Sequence, residues 1–305
     1  MKPNGIDLGK ISTELRNPVT ADIDTMDSLG IVSAINEEDH LVAPAVRHAL
    51  PQIAHAVDAI VDALHGGGRL IYTGAGTSGR LGVLDASECP PTFNTDPDLV
   101  VGIIAGGDRA LRHPIEHVED RPEAGREDLE SLNVTAQDVV VGIAASGRTP
   151  YVLGAIDFAN SIGCVTAGIS NSVDSALSAA VSIPIEVPVG PEVLTGSTRM
   201  KSGTAQKLVL NMLTTAAMIR LGKTYGNLMV DVQPTNAKLR ERAVRIVMEA
   251  TGIEDGPARD ALVEAGDEVK VAIVAILQDV PAAEARNRLA ASGGVVRTAL
   301  FQDRS

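Results

Sequence analysis

An amphipathic helix followed by a buried strand is the clearest pattern of hydrophobic and polar positions along the chain. Before the three glycines at residues 66–68, apolar residues recur at intervals of three and four: Ile53, Val57, Ile60 and Leu64. This spacing predicts a helix that buries one face and ends at the glycines. Leu70, Ile71 and Tyr72 are apolar and strand-forming, so a strand is expected directly afterwards.

Strand and helix patterns alternate from there to residue 221. Further strands are predicted over residues 99–105, 138–143, 165–169 and 181–187, and helices over 80–86, 111–119, 122–133, 151–161 and 202–221. This alternation predicts an α/β fold with a doubly wound, mainly parallel sheet flanked by helices. Pro184 removes one backbone donor from the last strand, so that strand is expected at an edge of the sheet.

The two ends of the chain lack this alternation. Residues 13–18 are expected to be extended because Pro18 disfavours a helix before it, and residues 22–38 are expected to form a helix. Residues 240–305 are rich in alanine and charge without a clear strand pattern, which predicts a small bundle of short helices. We therefore expect an N-terminal helical arm over residues 1–50, an α/β domain over 51–232 and a C-terminal helical domain over 233–305.

Two of the predicted strands run into loops of small and hydroxyl-bearing residues. Residues 74–79 read GAGTSG after the first strand, and residues 144–150 read AASGRTP after the third. A helix is predicted behind each loop, and the free N–H groups and dipole of a helix N-terminus attract anions. Ligands of parallel sheets bind at the carboxyl ends of the strands, where both loops fall.

These loops predict a site for a small anionic ligand such as a sugar phosphate or a nucleotide. The candidate binding residues are Gly76, Thr77, Ser78, Ser146, Gly147, Arg148 and Thr149. Residues 74–79 also fit the dinucleotide pattern G-x-G-x-x-G, and a glycine-rich turn without any phosphate role would explain either loop alone. Arg148 would serve equally as a partner in an ion pair. The presence of two such loops favours the sugar phosphate.

A carboxylate follows the first loop in an unusual setting. Glu88 stands between Ser87 and Cys89 and is followed by Pro90 and Pro91, which we expect to end any helix there. A carboxylate held rigidly beside an anion site is a candidate for proton transfer. An ordinary solvated glutamate is the competing interpretation.

Composition and net charge limit the kinds of molecule that the protein is expected to bind. The formal net charge of −13 argues against binding to nucleic acids or anionic membranes. Aromatic residues are 2% of the chain and Trp is absent, so the core must be aliphatic, which suits a parallel sheet covered by helices. No signal-peptide or membrane-spanning pattern is present, and a cytoplasmic protein is expected.

Metal binding and thiol chemistry find little support in the sequence. Two cysteines, Cys89 and Cys164, are too few for a disulfide scaffold or a cysteine-based zinc site. His113 and His117 have a spacing that binds metals on a helix, but no third ligand has a persuasive spacing. No metal is predicted.

Three segments, residues 68–93, 141–150 and 195–207, resemble the bacterial N-acetylmuramic acid 6-phosphate etherases, which belong to the sugar-isomerase (SIS) fold group. The most specific stretches are residues 85–92 (DASECPPT) and 144–150 (AASGRTP). The resemblance extends over nearly the whole chain. It implies a homodimeric carbon–oxygen lyase of amino-sugar catabolism that needs no metal or organic cofactor.

The resemblance also implies a substrate and two catalytic residues. The reaction would cleave the D-lactyl ether of N-acetylmuramic acid 6-phosphate with water, in the recycling of cell-wall sugars. The active-site glutamates of the family fall on Glu88, the expected proton donor, and Glu119, the expected base. Taken alone, Glu119 beside Asp120 would be interpreted as part of an exposed helix face.

Two other functions share the predicted fold and loops. A sugar-phosphate-binding regulator of the SIS type would need no acid–base pair, and an aldose–ketose isomerase would convert sugar phosphates without releasing lactate. Lactate release therefore distinguishes the etherase from both alternatives.

Overall fold

The computed structural model describes residues 12–232, 234 and 236–301. The predicted arm over 1–50 and the predicted C-terminal domain over 233–305 each include residues outside these ranges. Among the described residues, every helix is too short or too polar to span a membrane.

Helices and strands alternate through the central part of the chain. The strands are β1 (Leu70–Gly74), β2 (Val100–Ile104), β3 (Val139–Ile143), β4 (Val165–Ser170), β5 (Ile183–Glu186), β6 (Thr224–Tyr225) and β7 (Leu228–Met229). Before β6, the described residues form the α-helices α1 (Ser28–Asp39), α2 (Val42–His48), α3 (Leu50–His65), α4 (Gly76–Phe93), α5 (Arg109–Arg112), α6 (Pro122–Ser131), α7 (Pro150–Ser161), α8 (Ala176–Ala180) and α9 (Lys201–Arg220). Five more follow: α10 (Ala237–Thr251), α11 (Asp255–Glu264), α12 (Val269–Gln278), α13 (Ala282–Ala291) and α14 (Val296–Ala299).

The first five strands form one parallel sheet in the order β2-β1-β3-β4-β5. Leu70 of β1 lies beside Val100 of β2 on one side and Val139 of β3 on the other. The chain therefore winds in one direction from β1 to β2 and in the other from β3 to β5, so the order reverses between β1 and β3. This confirms the predicted doubly wound α/β fold, and β5 with Pro184 lies at an edge as expected.

The described residues form two compact units. The first comprises residues 12–87 and 98–214, and the second comprises the described residues of 88–97 and 215–301. The first contains the parallel sheet and the second contains α10 to α14. The three-part division expected from the sequence has different boundaries, and it stays a prediction.

The core of the first unit is mainly aliphatic, as expected from the low aromatic content, and it includes the two fully buried tyrosines Tyr72 and Tyr151. Every residue of β1 and of β3 is buried, which is the pattern of central strands covered on both faces. Helix α7 contributes Val152, Ala155 and Ile156, none of which is exposed. The sheet is thereby a rigid platform for the loops at its carboxyl edge.

The second unit is built from the predicted short helices and has its own core. Val247 of α10 and Ala272, Ile273 and Val274 of α12 are fully buried in one apolar cluster. A small antiparallel ribbon of β6 and β7 precedes these helices, turning at Gly226 with a φ of 58°. The sequence patterns did not predict this ribbon, because each of its strands has two residues.

Two predictions near the N-terminus need correction. Residues 22–38 do not form one helix: a 3-10 turn spans Ile23–Thr25, and α1 begins at Ser28 because the Asp27 side chain accepts a hydrogen bond from the Gly30 N–H. Residues 13–18 are not extended throughout, since 3-10 turns occupy Ser12–Glu14 and Pro18–Thr20.

The helix predicted over residues 111–119 is wrong in most of its length. Helix α5 ends at Arg112, and an irregular segment leads from there to α6. Pro114 cannot continue a helix, and His117 has a φ of 65°, in the left-handed region. Pro114 was the available signal in the sequence.

The expected effect of Pro90 and Pro91 is also wrong. Helix α4 is 18 residues long and contains both prolines near its end. The Asn94 N–H still bonds the Pro90 carbonyl at 2.9 Å, so the last turn is completed without the missing proline donors. Glu88 therefore lies on a helix rather than in a rigid loop.

Candidate active site

A cleft of about 390 Å³ opens at the carboxyl ends of β1 and β3. Residues 75–78 after β1 and residues 145, 146 and 148–150 after β3 form two of its walls. Glu119 and Asp120 lie on a third side, and Glu14 and Thr198 complete it. The cleft thus occupies the point where the strand order reverses, which is the usual ligand site of doubly wound sheets.

The N-terminus of α4 faces this cleft through its backbone. The helix begins at Gly76, and its first internal hydrogen bond runs from the Gly79 N–H to the Ala75 carbonyl at 3.2 Å. The N–H groups of Gly76, Thr77 and Ser78 precede that bond, so the helix supplies them with no partner. Free N–H groups at the positive end of a helix dipole favour a phosphate.

The Ser78 side chain has a different role from the one its position in the loop predicts. Ser78 is 8% exposed, and its hydroxyl donates to the Gln206 Oε1 at 2.9 Å. The Gln206 amide in turn donates to the Asn171 Oδ1 at 3.1 Å. In this arrangement the Ser78 side chain links α4 to α9, and its backbone N–H is the part of the residue that remains without a helix partner.

The wall formed after β3 contains two hydroxyl-bearing residues and an arginine. Ser146, Arg148 and Thr149 all line the cleft, and α7 begins directly behind them with Thr149 as its N-cap. Arg148 is exposed and has no ion-pair partner within the described part of the chain. This wall therefore offers hydroxyl donors and one available positive charge.

Gly147 shapes that wall without lining it. Its φ is 64°, and a Cβ atom built on it would lie 2.3 Å from the Cβ and Oγ atoms of Ser175. The Gly147 carbonyl accepts a hydrogen bond from the Leu177 N–H at 2.8 Å. Its function is to let the loop pack against the N-terminus of α8, which no larger residue would permit.

Glu119 lies at the cleft because its segment is fixed to α7. The Tyr151 N–H, in the first turn of α7, donates to the Glu119 carbonyl at 3.0 Å. Helix α6 then packs closely on α7, since a Cβ on Gly154 would lie 2.0 Å from the Pro122 carbonyl oxygen. The Glu119 side chain itself is exposed to the cleft and has no hydrogen bond within the described residues.

Glu88 is not among the residues that line the cleft. It belongs to the second compact unit and is exposed on α4. The neighbouring Cys89 is 2% exposed, as expected of a small packed residue rather than of a nucleophile. The catalytic roles of Glu88 and Glu119 stay predictions.

Outside the two predicted loops, three residues that line the cleft were not among the predicted site residues: Glu14, Asp120 and Thr198. Thr198 lies in the segment 195–207 that resembles the etherases, and Glu14 is covered only by the more general resemblance over nearly the whole chain. Neither has a local pattern that indicates a site. Their positions depend on how distant segments meet.

The histidine pair proposed as a weak metal candidate does not have helical geometry. His113 and His117 lie in the irregular segment after α5, and His117 is 3.9 Å from the Asp120 carboxylate on the surface. Across the part of the chain that the structure describes, no group of three or more His, Cys, Asp or Glu side chains is placed to hold a metal ion.

Comparison with known proteins places these features in a family. Residues 52–160 match the glucokinase regulatory protein N-terminal SIS domain, and residues 110–216 match the SIS domain. An N-acetylmuramic acid 6-phosphate etherase from Brucella anthropi is 58% identical over 294 residues, covering 96% of each chain. A second, N-acetylmuramic acid 6-phosphate etherase 2 from Vibrio parahaemolyticus, is 56% identical and covers 97% of this chain and 98% of its own.

Sequence identity at this level over nearly the full length of both proteins establishes the family. The doubly wound sheet and the cleft at its switch point agree with it. This chain belongs to the N-acetylmuramic acid 6-phosphate etherases, within the SIS fold group.

Proposed function

We propose that this protein is a carbon–oxygen lyase that cleaves the D-lactyl ether of N-acetylmuramic acid 6-phosphate with water, giving N-acetylglucosamine 6-phosphate and D-lactate in the recycling of cell-wall sugars. The proposal rests on one observation: a single cleft contains both a region suited to bind a phosphate and a carboxylate suited to transfer a proton. The N-terminus of α4 and hydroxyl groups suited to a phosphate lie on its walls beside an available carboxylate, Glu119. The family membership supplies the substrate.

The phosphate is assigned to the part of the cleft between α4 and α7. Backbone N–H groups of residues 76–78 provide donors without any side-chain rearrangement. The hydroxyls of Thr77, Ser146 and Thr149 add further donors, and Arg148 adds a charge that strengthens hydrogen bonds to a dianion. Gly147 contributes by shaping the loop.

The chemistry follows from the difficulty of breaking an ether. An alkoxide is a poor leaving group, but opening the sugar ring exposes an aldehyde that acidifies the proton on carbon 2. A base removes this proton, and the lactyl oxygen then leaves carbon 3 as it receives a proton from an acid. Water adds across the resulting double bond, its hydroxyl going to carbon 3 and a proton to carbon 2. General acid and base groups each contribute about 10²–10⁴-fold to such steps.

Glu119 is proposed as the base and Glu88 as the acid. Removal of the carbon 2 proton is followed directly as exchange with solvent deuterium. Glu119→Ala is expected to abolish this exchange and lactate release, while Glu88→Ala is expected to retain exchange and lose lactate release. Normal exchange in Glu119→Ala would reverse or reject the assignment. Glu127→Gln, an exposed glutamate on α6 outside the cleft, is the matched control.

We also propose that the enzyme acts in the cytoplasm as a homodimer. The two catalytic glutamates then belong either to one chain or to two. Mixing Glu88→Ala chains with Glu119→Ala chains separates these cases. A site shared between chains regains about a quarter of wild-type activity in randomly mixed symmetric dimers, whereas a site within one chain regains none.

The deciding experiment is incubation of the purified protein with N-acetylmuramic acid 6-phosphate and an assay for D-lactate. Lactate release supports the etherase. Binding of sugar phosphates without turnover would instead support a regulator, and interconversion of aldose and ketose phosphates without lactate would support an isomerase.

A further inference from the structure

The segment Ser12–Thr20, here called the N-terminal strap, is held by polar contacts with distant parts of the first unit. The Thr20 hydroxyl donates to the Val193 carbonyl at 2.8 Å in a buried environment. The Asn17 amide donates to the Pro191 carbonyl at 3.4 Å, and the Ser12 hydroxyl donates to the Asn171 carbonyl at 3.4 Å. The strap is therefore fixed at both ends to segments that follow β4 and β5.

Fixing the strap buries polar side chains, which is costly unless they are hydrogen-bonded. Asn17 and Thr20 are 4% exposed, and Thr13 is fully buried. The Thr13 hydroxyl has no hydrogen-bond partner among the described residues. Leu15, by contrast, is 42% exposed, so the strap is not held by an apolar face.

The result of this anchoring is the position of Glu14. Its side chain is half-buried and lines the cleft on the same side as Thr198. A Cβ atom on Gly196 would lie 3.4 Å from the Glu14 Oε2, so the carboxylate rests against the turn that contains this glycine. Within the described chain the Glu14 carboxylate has no hydrogen bond or ion pair, and its oxygens remain available as acceptors.

We propose that Glu14 is a specificity-determining residue that accepts hydrogen bonds from hydroxyl groups of the sugar. This inference rests on the proposed function. A carboxylate repels the substrate phosphate, which the opposite walls attract, and it accepts hydrogen bonds from neutral hydroxyls. Glu14 thereby fixes which end of the sugar phosphate enters which part of the cleft, and it discriminates a sugar phosphate from inorganic phosphate.

The test compares the complete substrate with a probe that occupies only the phosphate end. For Glu14→Ala we expect the KM for N-acetylmuramic acid 6-phosphate to rise about tenfold or more, while inhibition by inorganic phosphate is not weakened. Glu14→Gln keeps one acceptor oxygen and should lie between Glu14→Ala and wild type. Glu37→Ala, an exposed glutamate on α1 that does not line the cleft, should leave both constants unchanged.

Two results would overturn the role of Glu14. One is a KM in Glu14→Ala within twofold of wild type. The other is an equal weakening of substrate and phosphate binding, which would indicate that Glu14 supports the strap rather than contacts the sugar. A thermal melt of each variant checks the fold.

If the proposed function is wrong, the wild-type protein itself will release no lactate, and this result is distinguishable from a failure of the role proposed for Glu14. In that case calorimetry with N-acetylglucosamine 6-phosphate and with inorganic phosphate tests Glu14 independently. The preference for the sugar phosphate over phosphate should fall in Glu14→Ala, and an unchanged preference would reject the proposal.

Discussion

Charged side chains at the two ends of β1 and β3 differ: those at the amino ends are paired, and those at the carboxyl ends are not paired within the described chain. At the amino ends of β1 and β3, Arg69 and Asp138 form a paired contact, with the Nη2 atom 2.9 Å from Oδ2 and the Nε atom 3.2 Å from Oδ1. The Arg69 backbone N–H also donates to Asp138, at 2.8 Å. At the carboxyl ends, Arg148 and Glu119 line an open cleft without ion pairs among the described residues.

This difference separates stability from function. Paired and hydrogen-bonded charges tie two central strands together and leave nothing to bind a ligand. Unpaired charges on a rigid platform contribute little to folding, and they remain available to a substrate. Substitutions at the amino edge should therefore alter unfolding, and those that remove cleft side chains should alter turnover or KM.

The largest effect is expected at Glu119. Replacing it by Gln removes the proposed base, so kcat should fall by about 10²–10⁴-fold. The melting temperature should stay at the wild-type value because the side chain is exposed. Lactate release under saturating substrate measures the first quantity and a thermal melt the second. A large loss of stability in this variant would contradict the conclusion that charges at the carboxyl edge serve binding and catalysis rather than folding.

Gly147 is the expected exception at the carboxyl edge, because its role is packing. Gly147→Ala forces a side chain into a left-handed backbone and against Ser175, which should lower the free energy of unfolding by about 2–4 kcal/mol. Gly76→Ala, in the other loop, is the matched control. Its φ is 54° and no atom lies within 4 Å of the added Cβ, so about 1 kcal/mol is expected. Equal costs in urea titrations would show that the loop after β3 is not tightly packed.

Breaking the pair at the amino edge should change stability in a pH-dependent way. Burial alone would raise the pKa of the Asp138 carboxyl, but hydrogen bonds from the Arg69 side chain and the Thr135 N–H outweigh it and hold that pKa below its usual value. A lowered folded pKa means that the contribution is complete above the unfolded value of about 3.9 and disappears as the pH falls through the folded value.

Asp138→Asn should therefore lower the free energy of unfolding by about 2–3 kcal/mol near neutral pH. The difference in unfolding free energy between the variant and wild type should be constant between about pH 5 and 8, where the carboxyl is ionised in both the folded and the unfolded state. It should shrink below about pH 4. The KM should not change. Asp62→Asn, an exposed aspartate on α3, serves as the control in the same series of melts.

The smallest effects should distinguish two serines that look equivalent in the sequence. Ser146→Ala removes a hydroxyl from the cleft and should raise the KM for the phosphorylated sugar about tenfold with little change in stability. Ser78→Ala keeps the backbone N–H but leaves the buried Gln206 oxygen without its donor, so it should cost about 1–3 kcal/mol of unfolding free energy and leave KM within about twofold. An unchanged KM in Ser146→Ala would remove that hydroxyl from the phosphate site.

Much of the central fold could be predicted from local patterns. The strands β1 to β5, the edge position of Pro184 and the two hydroxyl loops all follow from burial and backbone preferences that neighbouring residues determine. The helix predicted over 111–119 is wrong because Pro114 cannot continue a helix and His117 adopts a left-handed backbone. The helix end predicted at Pro90 is wrong because α4 continues to Phe93, and the Asn94 N–H bonds the Pro90 carbonyl in the last turn.

Local sequence patterns are enough to predict that two strands end in loops suited to an anion, since glycine, serine and threonine act through their immediate neighbours. That these loops share one cleft follows from the fold, because it depends on β3 pairing with β1 rather than with another strand. The tertiary structure also decides that Glu14 and Glu119, more than a hundred positions apart, line that cleft while Ser78 turns its hydroxyl inward. Hydrogen bonds such as those from Thr20 to Val193 and from Tyr151 to Glu119 set these positions, and contacts between distant residues leave no periodic trace in a sequence.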